Sequence, residues 1–246
     1  MKIKRKPLWK DVSETRWNNW RWQLRNRITT TAELALVINI SKEEKDEIKR
    51  CMELFPMAIT PHYANLMDSD NPDCPVRRQA VPDIRELYSS DWDSDDPLAE
   101  DNDSVVRGVV HRYPDRALLL VTDSCGLYCR HCTRRRLTRD GEKPLPEKDT
   151  EDAFNYLRSA KEIRDVIISG GDPLILTDER LEGILEQVRS IEHVEIIRIG
   201  TRVPVVLPQR INRKLCKMLK KYHPLWINTH YNHPQELVAE SVEACQ

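Results

Sequence analysis

Short apolar runs alternate with helical patterns between residues 117 and 230. The runs cover 117–121, 166–168, 194–199 and 225–227, and the helical patterns lie between them at about 149–160, 178–190 and 210–222. Repeated strand–helix units favour parallel strands that are buried on both faces or line a barrel. The pattern therefore predicts an α/β fold, in which chemistry is expected at the carboxyl ends of the strands.

Reactive residue types follow the end of each predicted strand. Cys125 comes after the first run, Gly171 and Asp172 after the second, Arg202 after the third and His230 after the fourth. Because the carboxyl ends of parallel strands meet at one edge of a sheet, we expect these residues to lie close together.

Residues 1–110 have a different pattern and predict a mainly helical, loop-rich N-terminal region. Trp17 and Trp20 are three residues apart within a predicted helix, so we expect both to face one side and to pack against another domain or subunit. The acidic segment 91–103 is expected to be an exposed connection. We expect residues 111–246 to form the N-terminal part of a barrel whose C-terminal part is missing, because four strand–helix units would leave an unpaired edge.

Composition narrows the class of protein. Charged residues make up 32% of the 246 residues, mean hydropathy is -0.62, and 39 basic against 40 acidic residues give a net charge of -1. This balance argues against a protein that binds nucleic acid by charge. An apolar run of about 18 residues is absent, so no membrane span is expected. The basic start lacks the apolar segment of an export signal, and we predict a cytoplasmic location.

Three of the seven cysteines, Cys125, Cys129 and Cys132, lie within eight residues. An odd count with this clustering favours a metal site over a disulfide framework. Three thiolates on a [4Fe–4S] cluster would leave one iron open to a chelating small molecule. Zinc is the chemical alternative, with His131 or a distant cysteine completing four ligands. A purely structural role for the cysteines is the third.

The cysteine spacing resembles the signature of the radical S-adenosylmethionine (SAM) superfamily. The surrounding segments resemble the lysine 2,3-aminomutase family over nearly the whole chain. Those segments are residues 57–61, 111–116, 133–136, 168–173, 198–202 and 228–230. His131 stands where most superfamily members have an aromatic residue, and its imidazole can still lie against adenine.

The resemblance implies a partial (β/α) barrel of the radical SAM type. It implies an isomerase that uses a [4Fe–4S] cluster, SAM and pyridoxal phosphate to move an amino group from C2 to C3 of an amino acid. L-lysine to β-lysine is the favoured conversion, and glutamate or arginine is the alternative substrate. The lysine that anchors pyridoxal phosphate is expected beyond this chain. Outside this class, an inactive truncated fragment and a zinc-binding module remain open.

Residue roles follow from the same resemblance. Cys125, Cys129 and Cys132 match the cluster ligands. Arg134 matches the arginine for the substrate α-carboxylate, which suits a planar guanidinium. The expected cofactor-binding residues are Ser169, Gly170, Gly171 and Asp172 for the methionine amino group, His131 and His230 for SAM, and Arg112, Tyr113 and Arg116 for the phosphate of pyridoxal phosphate.

Partners follow as well. The resemblance implies a small-molecule amino acid substrate and a cellular reductant for the cluster, with no nucleic acid and no membrane. The helical N-terminal region is compatible with self-association into a homo-oligomer.

Some of the predicted site residues also have a structural alternative. A Gly-Gly-Asp sequence is an ordinary turn signal, and arginines beside a strand often form surface ion pairs.

Overall fold

One sheet organises the second half of the chain. The computed structural model describes residues 5–88, 90–138, 142 and 145–246. In this part, the strands run in the spatial order β1 to β6. They are β1 Ser104–Val106, β2 Val109–Tyr113, β3 Arg116–Leu120, β4 Asp165–Ser169, β5 Ile196–Gly200 and β6 Leu225–Asn228.

Helices cover the sheet and build the N-terminal region. The α-helices are α1 Glu14–Trp17, α2 Trp20–Arg25, α3 Thr31–Leu34, α4 Lys42–Leu54, α5 Pro61–Ala64, α6 Pro75–Arg78, α7 Glu147–Ser159, α8 Asp178–Arg189, α9 Val203–Val206, α10 Arg213–Leu219 and α11 Ala239–Glu243. The 3-10 helices are Pro7–Trp9, Ile84–Leu87, Glu100–Asp103, Arg135–Thr138, Pro173–Ile175, Pro208–Arg210, Lys220–Tyr222 and Pro234–Glu236. Among the described residues, none of these helices combines the length and the apolar character that a bilayer span requires.

Strands β3 to β6 pair in parallel, in the order of the sequence. Their register aligns Ala117 with Val166, Val166 with Ile197, and Ile197 with Leu225. The four predicted apolar runs coincide with these four strands to within two residues at each end. The predicted α/β fold with parallel strands is therefore confirmed, and the sheet is consistent with a partial radical SAM barrel.

Helix α8 shows how an apolar stripe fixes a helix of this region in the core. Its apolar positions Leu181, Ile184, Leu185 and Val188 are all buried, as their spacing predicts. The helix begins at a cap in which the Thr177 side chain accepts a hydrogen bond from the backbone N–H of Arg180. Burying this stripe fixes the helix beside the strands, and leaves the loops at the strand ends to form a site.

The sheet begins earlier than the sequence analysis expected. β2 pairs antiparallel with both β1 and β3, although no strand was predicted before residue 117. Gly108, between β1 and β2, has a φ of +88°, which few residues other than glycine adopt readily. A short hairpin therefore joins the N-terminal region to the parallel strands.

The tryptophan-rich start also differs from its prediction. Asn19 caps a new helix by accepting hydrogen bonds from the N–H groups of Arg21 and Trp22, so α1 and α2 are separate. Trp17 packs against Trp22 with 6.2 Å between ring centroids, whereas Trp20 lies against the Arg210 guanidinium at 4.6 Å. The expectation that Trp17 and Trp20 share one face was wrong, because the helix breaks between them.

Candidate functional site

A cavity of about 440 Å³ lies at the carboxyl ends of the parallel strands. The loops after β3, β4, β5 and β6 all contribute to its lining, as the topology predicts. The predicted site residues that line it are Cys125, Cys129, His131, Cys132, Arg134, Ser169, Gly170, Gly171, Asp172 and His230. Phe55 and Pro56, from the N-terminal region, complete one wall.

The three cysteines share the loop after β3 and have free thiols. Burial raises the pKa of the Cys125 thiol and that of the Cys129 thiol, while Cys132 is exposed. Among the described residues, no three cysteine, histidine or acidic side chains converge as ligands of a single metal ion. Soft thiolates at one side of a roomy cavity fit an iron–sulfur cluster, which is larger than an ion and needs its ligands at separate corners.

The N-terminal region holds this cysteine loop in place. Arg27 donates a hydrogen bond to the Cys125 carbonyl oxygen at 2.5 Å and forms an ion pair with Glu142 at 2.6 Å. The Tyr128 hydroxyl donates to the same carboxylate at 2.8 Å, and the Tyr128 N–H donates to the Ala58 carbonyl at 3.0 Å. Local sequence patterns give no signal for these contacts, because their partners lie up to 115 positions apart in the chain.

A buried ion pair holds the cysteine loop against the N-terminal region. The Arg130 guanidinium is 2.6 Å from the Glu86 carboxylate and donates to the Pro56 carbonyl at 2.9 Å. The two paired side chains are only 8% and 13% exposed. Arg135 also contacts Glu86 at 3.3 Å, so one carboxylate contacts an arginine within the cysteine loop and another that follows it.

We expect Arg130→Ala to lower the free energy of unfolding by about 3–5 kcal/mol, because it leaves a buried carboxylate without its main partner. Arg85 provides a matched control on the neighbouring 3-10 helix. It pairs with Asp83, but its side chain is 67% exposed, so Arg85→Ala should change the free energy of unfolding little. Urea unfolding of both variants measures the difference. Equal costs would contradict the importance of the buried pair.

Gly170 and Gly171 let two backbone segments pass close together. Gly170 has a φ of +125°, and a Cβ there would overlap the Thr122 carbonyl oxygen. A Cβ on Gly171 would overlap the Ser124 carbonyl oxygen and lie 2.7 Å from its carbonyl carbon. Their expected role in binding the methionine amino group stays a prediction. Their missing side chains make room for the backbone that leads into the cysteine loop.

Asp172 links the loop after β4 to the loop after β5. Its carboxylate accepts hydrogen bonds from the Thr201 hydroxyl at 2.6 Å, the Arg202 N–H at 2.8 Å and the Leu174 N–H at 3.1 Å. Burial raises the pKa of Asp172 to about 6, and these bonds oppose the rise. In this arrangement the carboxylate positions the two loops, and its predicted contact with the methionine amino group stays a prediction.

His131 and His230 face each other across the cavity lining. Their ring centroids are 6.4 Å apart, and the rings are 69° from parallel. Burial, assisted by the nearby positive charge of Arg202, lowers the pKa of both imidazoles. Two largely neutral rings suit contact with a flat, uncharged group such as a purine base, and their role towards SAM stays a prediction.

Arg134 lines the cavity and already has a carboxylate partner. Its guanidinium donates to Glu100 at 2.8 Å and 2.5 Å, and Glu100 is only 7% exposed. The segment 91–103 is therefore more than the exposed connection that was expected. Arg134 Nη1 makes no hydrogen bond with the described part of the chain, so it is available to a second carboxylate.

The structure does not bring Arg112, Tyr113 and Arg116 to this cavity. They lie at or before the amino end of β3, whereas the cavity lies at the carboxyl ends of the parallel strands. Arg112 pairs with Asp103 at 2.7 Å, and the Arg116 guanidinium lies 5.5 Å from the Tyr113 ring centroid. These contacts are the ordinary ion pairs and packing that the sequence analysis gave as the alternative.

Known proteins resemble both the motif and the whole chain. Residues 119–243 match the radical SAM superfamily. The chain is 53% identical to L-lysine 2,3-aminomutase of Clostridium subterminale over 99% of its length and 58% of the relative. It is 52% identical to L-lysine 2,3-aminomutase of Bacillus subtilis over 97% of its length and 51% of the relative.

A third relative has a different substrate in its name. Glutamate 2,3-aminomutase of Clostridioides difficile is 43% identical over 95% of this chain and 55% of the relative. The chain thus spans little more than half the length of these curated relatives. Because the superfamily match covers just over half of the chain, including the cysteine loop and strands β4 to β6, the chain belongs to the radical SAM superfamily.

Proposed function

We propose that this chain supplies the radical-generating part of an amino-acid 2,3-aminomutase that converts L-lysine to β-lysine. Superfamily membership implies a [4Fe–4S] cluster and SAM. The observation that carries the proposal is the presence of Arg134, a carboxylate-binding arginine, in the same cavity as the three cysteines. Because the chain spans 58% of the Clostridium subterminale relative, the activity is proposed for the protein that contains it.

Each part of the cavity has a proposed role. Cys125, Cys129 and Cys132 hold the cluster and leave one iron to SAM, and residues 169–172 and the two histidines hold the rest of SAM. When bound and reduced, the cluster supplies the electron that cleaves SAM. Arg134 orients the amino acid through its carboxylate, with Glu100 fixing the guanidinium from behind. Holding the reacting groups in one walled cavity lowers the entropic part of the barrier.

Pyridoxal phosphate is the remaining proposed cofactor. Among the described residues that line the cavity there is no lysine that could bind it covalently. The predicted phosphate ligands Arg112, Tyr113 and Arg116 lie near the amino end of β3, away from the cavity. Dependence on pyridoxal phosphate therefore rests on the family resemblance alone, as a prediction for the longer protein.

L-lysine is favoured over glutamate because the named lysine enzymes are 53% and 52% identical to this chain and the glutamate enzyme is 43% identical. Arginine remains the other alternative. Besides the amino-acid substrate, the proposed partner is a cellular one-electron reductant for the cluster. A cytoplasmic location is proposed because all seven cysteines are free thiols, which a reducing compartment preserves. Self-association through the N-terminal region stays a prediction.

The cluster is tested by reconstituting the chain with iron and sulfide without oxygen and recording EPR spectra after reduction. We expect a cluster signal that changes on adding SAM and is lost in Cys129→Ala. Cys216→Ala is the control, because Cys216 is an exposed thiol outside the cavity and its loss should leave the signal unchanged. Stoichiometric zinc without iron would instead support a zinc-binding module.

The substrate is tested by measuring SAM cleavage in the reduced protein with pyridoxal phosphate and L-lysine, L-glutamate or L-arginine. The largest stimulation should come from L-lysine. A protein that extends this chain through the remaining length of the relatives should form β-lysine. If both this chain and the extended protein cleave SAM at a rate that no amino acid changes, the mutase proposal is overturned. The proposed cluster and its reaction with SAM would still stand.

A further inference from the structure

Arg202 places a buried positive charge against one of the cluster cysteines. It follows β5, is only 7% exposed, and its Nη1 donates a hydrogen bond to Cys129 Sγ at 3.0 Å. In the described part of the chain, Cys125 and Cys132 receive no such bond from a cationic side chain. The three thiolates are therefore electrostatically different.

A set of partners fixes the Arg202 guanidinium. Its Nη2 is 2.5 Å from Glu236 Oε1 and 2.5 Å from Gln79 Oε1. The Tyr63 hydroxyl donates to Glu236 at 2.8 Å, and Glu236 is fully buried. The backbone N–H of Arg202 is held by Asp172, as described above. The guanidinium thus cannot turn away from Cys129 without breaking several buried hydrogen bonds.

The reduction of a cluster adds one negative charge. One electron passes from an external low-potential donor to the cluster, and no bond in the protein forms or breaks. A positive charge and an N–H donor at a ligand sulfur stabilise the reduced form more than the oxidised form, because the reduced form carries more negative charge. The Glu236 carboxylate beside Arg202 acts in the opposite direction.

We propose that Arg202 is a positioning residue that orients the Cys129 thiolate and raises the reduction potential of the cluster, and that Glu236 limits this rise. The pair sets how readily the cluster accepts the electron it needs. The inference rests on the cluster site alone and not on the amino-acid substrate, so it can fail or succeed independently of the proposed mutase activity.

The test is a redox titration of the reconstituted cluster, followed by EPR. Arg202→Gln should reduce the ratio of reduced to oxidised cluster at a fixed potential about tenfold, which corresponds to about 59 mV for one electron. Arg202→Lys keeps the charge but loses the planar donor set, so it should give a smaller shift in the same direction. Glu236→Gln should shift the ratio the opposite way.

Arg210→Lys is the matched control. Arg210 is also fully buried and pairs with Asp178 at 2.7 Å, but it does not line the cavity. It should reduce stability and leave the potential of the bound cluster unchanged. If Arg202→Gln binds no cluster, the proposal is tested by the reduction potentials of Arg202→Lys and Glu236→Gln, which should shift in opposite directions. Unchanged potentials, shifts in the same direction, or an equal shift in Arg210→Lys would each overturn the proposal.

Discussion

Gly171→Ala should cost at least about 4 kcal/mol of stability and prevent the chain from binding a cluster. The added Cβ would overlap the Ser124 carbonyl oxygen and lie 2.8 Å from the Asp123 carbonyl carbon. These are backbone atoms, which cannot rotate away as a flexible side chain would. Relief requires the segment 122–124 to move, and this segment leads directly into Cys125.

Chemical unfolding and iron content after reconstitution measure the two effects. Gly183→Ala is the control, because Gly183 lies within α8 and an added Cβ there meets no atom within 4 Å. It should stabilise the protein by up to about 1 kcal/mol, as expected for alanine in a helix. Gly170→Ala should behave like Gly171→Ala, since its φ of +125° disfavours any side chain. A Gly171→Ala protein with normal stability and iron would show that this crossing is not needed.

Much of the fold could be predicted, because local patterns encode it. The apolar runs of β3 to β5 and the stripe on α8 contribute buried side chains as their spacing indicates, whereas Trp226 and Ile227 of β6 are exposed. Each of these patterns predicts burial against a neighbouring element of the same fold, either the next strand or the face of the sheet. The hairpin of β1 and β2 was missed, although the valine pairs on either side of Gly108 are a signal for it.

The tryptophan-rich start shows the limit of periodicity. Trp17 and Trp20 have helical spacing, yet Asn19 caps a new helix between them. An asparagine in a predicted helix competes for backbone N–H groups, and this cue favours a break. Burial then depends on distant residues such as Arg210, which local sequence does not reveal.

The site divides in the same way. The cysteine spacing and the strand-end positions predicted which residues line the cavity. The contacts that hold those residues, such as Arg27 with Cys125, Glu100 with Arg134 and Arg202 with Cys129, join segments far apart in the chain. Charge alone could not identify these pairs, because the chain has 39 basic and 40 acidic residues to choose from.

The acid sensitivity of the chain should depend strongly on His62. This histidine is fully buried, and burial lowers its pKa from 6.5 to about 3. Its Nδ1 lies 3.2 Å from Gln209 Nε2, and its Nε2 has no hydrogen-bond partner among the described residues.

The sign of the effect follows from proton linkage. Between pH 6.5 and 3 the unfolded chain binds a proton at His62 and the folded chain does not. Folding is therefore penalised as pH falls, by up to roughly 5 kcal/mol at pH 3. Asp172 acts the other way, because its raised pKa lets the folded state bind a proton between pH 6 and 3.8. The contribution of His62 is isolated by comparing variants.

We expect His62→Gln to lose less stability than the parent chain when pH falls from 7 to 4, whatever its stability at pH 7. Urea unfolding at a series of pH values gives the two slopes. His193→Gln is the control, because His193 is partly exposed and its Nε2 is bonded to the Leu157 carbonyl oxygen at 3.0 Å. Parallel slopes for the parent and His62→Gln would mean that water or a proton reaches His62 in the folded state. The packing between α5 and the loop after β5 would then be looser than its complete burial implies.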